Sequence, residues 1–207
     1  MDKKSAMSMQ TKQKLKETFL ELYANRGISN ITIGAITKKA GYNRSTFYNY
    51  YDDLNSMLDE IEDTVIEQIQ TKISEILAVG IPEDVSMVFP LALSVFEEYG
   101  NTLYILLGKN GNVAFRKRLK SAVKHSFRDV FAGYVSAEQT EYVLTFIVSS
   151  GLGLIEHWYE TGKKYSAEDF LRLSQSLIAT GLFGQLQKDT DSKPSSPRLK
   201  TRESQAN

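Results

Sequence analysis

The stretch that most limits how this chain can fold is "TIGAITKKAGYNRSTFYNYYDD", residues 32 to 53. Thr32 is a helix N-cap residue placed before apolar positions at Ile33, Ile36 and Ala40, and Gly41 stops that segment where a left-handed residue is wanted. Asn43 then caps a second short segment, Arg44 to Tyr50 or Tyr51. A capped helix, a turn of three to four residues containing Gly and a short polar helix describe a helix-turn-helix. Within the third helix Phe47 and Tyr51 are four apart and share one face, where Phe19, Ile33 and Ile36 can receive them. Ser45 and Asn49 fall on the opposite side, flanked by Arg44, Thr46 and Tyr48.

Period-3.6 patterning extends over the rest of the chain, so the fold class is all-α. Leu15, Phe19, Leu22 and Tyr23 form one stripe of a first helix, Thr11 to Asn25, which Arg26-Gly27 ends. Asp52 or Asp53 caps a long fourth helix to about Val79, with Leu54, Leu58, Ile61, Val65, Ile69, Ile73 and Ile76 inward. Further helices are expected over Asp84–Tyr99, Thr102–Leu107, Ala114–Ala132, Ala137–Thr161 and Ala167–Leu186, with breaks at Gly100, Gly108 to Gly111, Gly133 and Gly162. Residues 1–10 read as a flexible lead-in, 11–55 as the helix-turn-helix domain and 56–186 as a helical body. The segment 187–207 holds almost nothing apolar and is expected to be disordered.

Net charge is zero over 207 residues, but the total conceals a split. Residues 1–55 carry nine Lys/Arg against five Asp/Glu, and 56–184 carry eleven against seventeen. A basic head on an acidic body is expected where one part meets a polyanion. The chain has no cysteine, which excludes disulfides and thiolate metal sites and suits a reducing compartment. No segment is apolar enough for a membrane helix or a signal sequence, so the expectation is a cytoplasmic protein with no membrane partner. His125 and His157 have no metal-pair spacing, and neither a phosphate loop nor a nucleophile elbow occurs. No catalytic residue, metal or cofactor is expected, and the reading is not that of an enzyme.

The short-chained, hydrogen-bonding outer face of the third helix suits an element pressed into a B-DNA major groove. The wording "ITIGAITKKAGYNRSTFYNYYDDLNSML" closely resembles the N-terminal DNA-binding signature of the TetR family of bacterial transcription regulators, over about residues 11 to 58. The resemblance implies a homodimeric regulator, more often repressor than activator. Its first three helices would read a pseudo-palindromic double-stranded DNA operator, and the fourth would join them to a C-terminal domain for dimerisation and a small-molecule effector. It implies that Thr32 meets a phosphate at the start of helix two, and that Arg44, Ser45, Thr46 and Asn49 face the groove. Tyr48 and Tyr50 would reach phosphates through their hydroxyls, and Phe47 and Tyr51 would be core. Lys39 and the capping Asn43 complete the expected DNA-binding set. Leu54 stands where the family usually has a Lys, and Tyr42-Asn43 replaces the commoner Val-Ser.

The body offers fewer signals. Phe89, Phe96, Tyr99, Tyr104, Phe127, Phe131, Tyr142 and Phe146, with His157, are the stock from which an effector pocket would be lined. Gly151 and Gly153 inside one helix suggest close helix approach, and by the resemblance Leu152, Ile155, Trp158, Tyr159, Leu173, Leu177 and Leu182 would line the dimer interface. The basic run "FRKRLKSAVKH", Phe115 to His125, reads first as a solvated face. The competing function is a helical protein-interaction module that keeps the helix-turn-helix without reading DNA, and a small-molecule carrier stands third.

Overall fold

The computed structural model describes residues 3–78, 88–132, 135–177 and 181. Its elements are helix α1 (Lys3–Arg26), a 3-10 turn (Ile28–Asn30), α2 (Ile33–Ala40), α3 (Arg44–Tyr48), α4 (Leu54–Ala78), α5 (Val88–Leu107), α6 (Val113–Ala132) and α7 (Ala137–Glu160). A last helix, α8, covers 167–177. Among the described residues the secondary structure is helical throughout, as the apolar periodicity predicts.

Local chemistry sets most helix ends. Gly27, at φ 67°, closes α1 and donates its N–H to the Tyr23 carbonyl at 3.1 Å. The Thr32 hydroxyl accepts from Ala35 N at 3.1 Å to open α2, and Gly41, at φ 80°, ends it in the left-handed conformation that glycine adopts without Cβ strain. Asp53 Oδ1 accepts from Ser56 N at 2.8 Å at the start of α4. Ser136 opens α7 with a reciprocal capping box to Gln139.

One core runs from the head into the body. Leu15, Phe19, Leu22 and Tyr23 of α1, Ile36 of α2, Phe47 and Tyr51, the α4 stripe Met57, Leu58, Ile61, Val65, Ile69 and Ile73, and Phe115 and Leu119 of α6 form a single buried cluster. Removing this apolar area from water is the main favourable term in the fold. Asn110, between α5 and α6, donates to the Ala24 carbonyl at 3.0 Å and so ties the body to the end of α1. A second, smaller cluster joins Trp158 and Tyr159 to Phe170 and Leu171, with Trp158 stacked on Phe170 at 4.9 Å.

Three expected boundaries differ. Helix α1 begins at Lys3, so described residues of the lead-in continue the helix rather than precede it. The break at Gly100 is absent, because α5 runs unbroken from Val88 to Leu107 with Gly100 buried inside it. A glycine costs a helix about 1 kcal/mol relative to Ala, and the apolar residues around it, Val95, Leu103, Leu106 and Leu107, gain more by burial. Helix α3 ends at Tyr48, not Tyr50 or Tyr51. The break at Gly133 and the segment 187–207 lie outside the described residues, as does the expected extension of α8 to Leu186.

Candidate nucleic-acid interface

The outer face of α3 is held in place by its own cap and by one buried ring. Asn43 Oδ1 accepts from the Thr46 N–H at 3.0 Å, from the Thr46 hydroxyl at 2.9 Å and from the Ser45 hydroxyl at 2.6 Å. A helix of five residues cannot sustain itself in isolation, so this cap and the burial of Phe47 carry it. Phe47 is 0% exposed and its ring lies 5.6 Å from that of Tyr51. Burial pushes the Tyr51 phenol above its ordinary range, and the nearby Glu60 carboxylate pushes the same way, so this tyrosine is a neutral core ring.

With Phe47 inward, helical phase turns Arg44, Ser45, Tyr48 and Asn49 to solvent, all of them exposed. Tyr48 is 58% exposed and meets Phe47 edge to face. Asn49 caps the C-terminal end through an N–H bond to the Ser45 carbonyl at 3.2 Å, which keeps the two on the same side. Thr46 is half-buried beside the cap. Thr32 is exposed one turn away, at the N-terminus of α2, where unpaired N–H groups and the helix dipole favour an anion.

Three expected site residues are placed differently from their simplest reading. Arg44 reaches back across the first turn of α2, since a Cβ built on Gly34 would come within 2.8 Å of its guanidinium. Its charge therefore sits beside the first turn of α2, which suits phosphate as much as a base edge. Tyr50 is half-buried and its hydroxyl shares a hydrogen bond with Ser8 Oγ at 3.1 Å, an α1 residue from the stretch expected to be flexible. Lys39 is ion-paired with Glu21 of α1. The sequence contained no local signal for these contacts, which join residues 10 to 42 positions apart.

Some of the head's basic charge is spent internally. Lys12 and Lys16 both pair with Glu60 of α4, at 2.8 and 2.6 Å. Burial pushes the Glu60 carboxyl up, but hydrogen bonds and charge from the two lysines outweigh it and hold the group below its ordinary value. Lys14, Arg26, Lys38 and Arg44 are exposed, and among the described residues none of them is in an ion pair.

In the body the expected aromatics scatter. Tyr104 stacks on Tyr159 at 4.6 Å, inside the second cluster. Tyr99 is half-buried and donates its hydroxyl to Glu98. Phe127 packs on the main core and Phe131 is half-buried. Tyr142 and Phe146, expected in the pocket, are 74% and 63% exposed on α7, because their helical phase turns them away from α6. The side chains of Phe89 and Phe96 lie outside the described residues. A groove of about 880 Å³ lies between α4, α6 and α7, and none of these aromatics lines it.

The expected interface set also divides. Trp158 and Tyr159 are buried within the subunit, with Trp158 Nε1 donating to the Tyr165 carbonyl at 3.0 Å. Leu152 and Ile155 pack partly against the two clusters, Leu173 and Leu177 are half-buried, and Leu182 lies outside the described residues.

This arrangement defines a helix-turn-helix head on an all-helical body. Residues 18–61 match the family profile described as bacterial regulatory proteins, tetR family, and residues 83–180 match the one described as transcriptional regulator C-terminal region. The chain belongs to the TetR family of bacterial transcriptional regulators. Solved structures share the fold at low identity. A TetR regulator from Streptococcus agalactiae is 20% identical over 84% of this chain and 97% of its own, with TM-score 0.59. A TerR/AcrR-family regulator from Aquifex aeolicus is 16% identical over 82% and 98%, with TM-score 0.68. NalD, the secondary repressor of the MexAB-OprM multidrug efflux pump in Pseudomonas aeruginosa, is 14% identical over 84% and 96%, with TM-score 0.65. Among curated proteins there is no significant match. No helix among the described residues is long and apolar enough to cross a membrane.

Proposed function

We propose that this regulator binds a pseudo-palindromic double-stranded DNA operator as a homodimer, represses from it, and is released by a small-molecule effector bound in the body. Residues 11–55 are the DNA-reading head and 56–186 the body for effector and partner, acting in the cytoplasm. The observation that carries the reading is the face of α3. Arg44, Ser45, Tyr48 and Asn49 stand exposed on a helix whose opposite side is locked by Phe47, and the capped N-terminus of α2 lies alongside. Short polar side chains with a fixed backbone can approach base edges, while Thr32, Tyr48 and the Arg44 guanidinium approach phosphates. The NalD likeness supports repression as the mode.

The dimer reading is supported by α7. Tyr142, Phe146, Gly153 and His157 recur at helical spacing on its exposed side. A Cβ added at Gly151 or Gly153 would meet nothing within 4 Å, so the backbone there is open to a second helix. On this reading the outward stripe of α7 is the contact face of the dimer.

Operator binding is tested by fluorescence anisotropy of the protein's own promoter fragment against salt. A steep fall in affinity with salt is expected from released counterions, and absent or salt-insensitive binding would overturn the reading in favour of a helical interaction module. Tyr48→Phe should weaken all sites alike, and Asn49→Ala should relax preference at one base pair by about 1–3 kcal/mol.

A further inference from the structure

The basic run of α6 lines a groove whose other walls are α4 and α7. Arg116, Lys117, Arg118, Lys120, Lys124 and Arg128 all face it, against two carboxylates in the lining, Asp63 and Glu141. The available carboxylates are taken up unevenly. Arg118 pairs with Asp63, Lys124 and Arg128 share Glu141, and Arg116 pairs with Glu156. Lys120 instead donates to a neutral group, Ser149 Oγ on α7, at 3.3 Å, and among the described residues neither Lys120 nor Lys117 is in an ion pair. One turn further along, Lys124 Nζ also donates to Thr145 Oγ1 at 2.9 Å. Ammonium groups and a hydroxyl therefore converge between α6 and α7 on a surplus of positive charge, with aliphatic floor from Ile66, Ala122 and Val148.

The α4 wall shows why occupancy would matter. Asp63 projects into the groove, and next to it Glu62 is 1% exposed, with one carboxylate oxygen lacking any hydrogen-bond partner among the described residues. The Arg118 guanidinium stands between them, bonded to Asp63 and 3.9 Å from Glu62. A groove anion that draws on Arg118 competes with α4, the helix that joins head to body.

We propose that this groove is the effector site and that it takes a small organic anion, a phosphate or carboxylate on a short aliphatic skeleton, anchored by Lys120 and Ser149 and flanked by Lys117 and Lys124. The inference rests on the reading of the protein as an effector-controlled regulator only for its effect on DNA; binding stands apart from it. The groove differs from the aromatic pocket that composition suggested, since its lining is cationic and aliphatic.

The test is isothermal titration of the full chain, at low salt and without DNA, with butyl phosphate, hexanoate and uncharged hexanamide. Saturable binding of at least one anion and none of the amide is expected, and the stronger of the two anions identifies the head group. Losing a charge-assisted contact in Lys120→Gln should weaken it about tenfold, with Lys109→Gln, outside the groove, unchanged. Should Lys120→Gln fail to fold, exposed Lys117→Gln serves the same comparison. Absence of saturable binding, equal binding of the amide, or affinity unchanged in the lysine variants would overturn the site. Because no DNA is present, failure to bind the operator in the anisotropy experiment is a separate result.

Discussion

Glu62→Gln should stabilise this protein at neutral pH. The Glu62 side chain is 1% exposed on the inner side of α4, and keeping its carboxylate ionised there costs several kcal/mol of lost hydration. Two contacts offset the cost. Asn112 Nδ2 donates to one oxygen at 3.3 Å, contributing about 1 kcal/mol. Arg118 at 3.9 Å would contribute about 4 kcal/mol at an effective dielectric of ~20, and roughly half that after allowing for its 43% exposure and prior bond to Asp63. The remaining deficit is about 1–2 kcal/mol. Burial, the largest influence, accordingly pushes the Glu62 carboxyl above its ordinary 4.5, against the pull of Asn112 and Arg118. Glutamine keeps the shape and the Asn112 bond while removing the charge.

The sign with pH follows from which state holds the proton. Below 4.5 both folded and unfolded chains carry neutral Glu62 and no penalty exists. As pH rises past 4.5 the unfolded chain ionises first, the folded chain binds more protons, and stability falls until the folded group also ionises. The advantage of Glu62→Gln should thus be full at pH 7.5 and vanish near pH 4. Thermal unfolding at fixed protein concentration should show a rise of about 2–8 °C at pH 7.5 for a chain of this size. A variant less stable than the parent at pH 7.5, or a gap independent of pH, would refute the argument.

Asn43→Ala removes the acceptor of three hydrogen bonds and should cost about 1–2 kcal/mol in urea unfolding and weaken operator binding, with Asn43→Asp restoring the stability but, as an added anion facing the phosphates, not the binding. Gly41→Ala should cost about 1 kcal/mol by the same assay; a Cβ there meets nothing, so the loss is purely that of the left-handed backbone at φ 80°. Gly153→Ala separates two states of α7: in an isolated subunit it should stabilise the helix by about 0.5–1 kcal/mol, and in the proposed dimer it should loosen subunit association in sedimentation equilibrium. Phe146→Glu should dissociate that dimer without lowering the melting temperature of the subunit, since Phe146 is 63% exposed.

What could be read from the sequence were features decided within three or four residues. The caps at Thr32 and Asn43, the stop at Gly41 and the inward phase of Phe47, Tyr51 and the α4 stripe from Leu58 to Ile73 need only a neighbour one turn away, and all are realised. Helical phase likewise placed Ser45, Tyr48 and Asn49 outward. Glycine was the weak sign, because its local penalty at Gly100 is overruled by burial arriving from other helices.

Tertiary structure decided everything that depends on which helix lies opposite. It turned Tyr50 to Ser8, Lys12 and Lys16 to Glu60, Lys39 to Glu21 and Arg44 across Gly34, so that basic residues and candidate DNA contacts of the head are partly engaged within the subunit. It moved Trp158 and Tyr159 into a core with Phe170, left Tyr142 and Phe146 exposed, and gathered the α6 cations against α4 and α7. An aromatic or charged side chain has the same local propensity whether it faces solvent, a partner or a neighbouring helix. The facing residue settles which, and it arrives from tens of positions away along the chain.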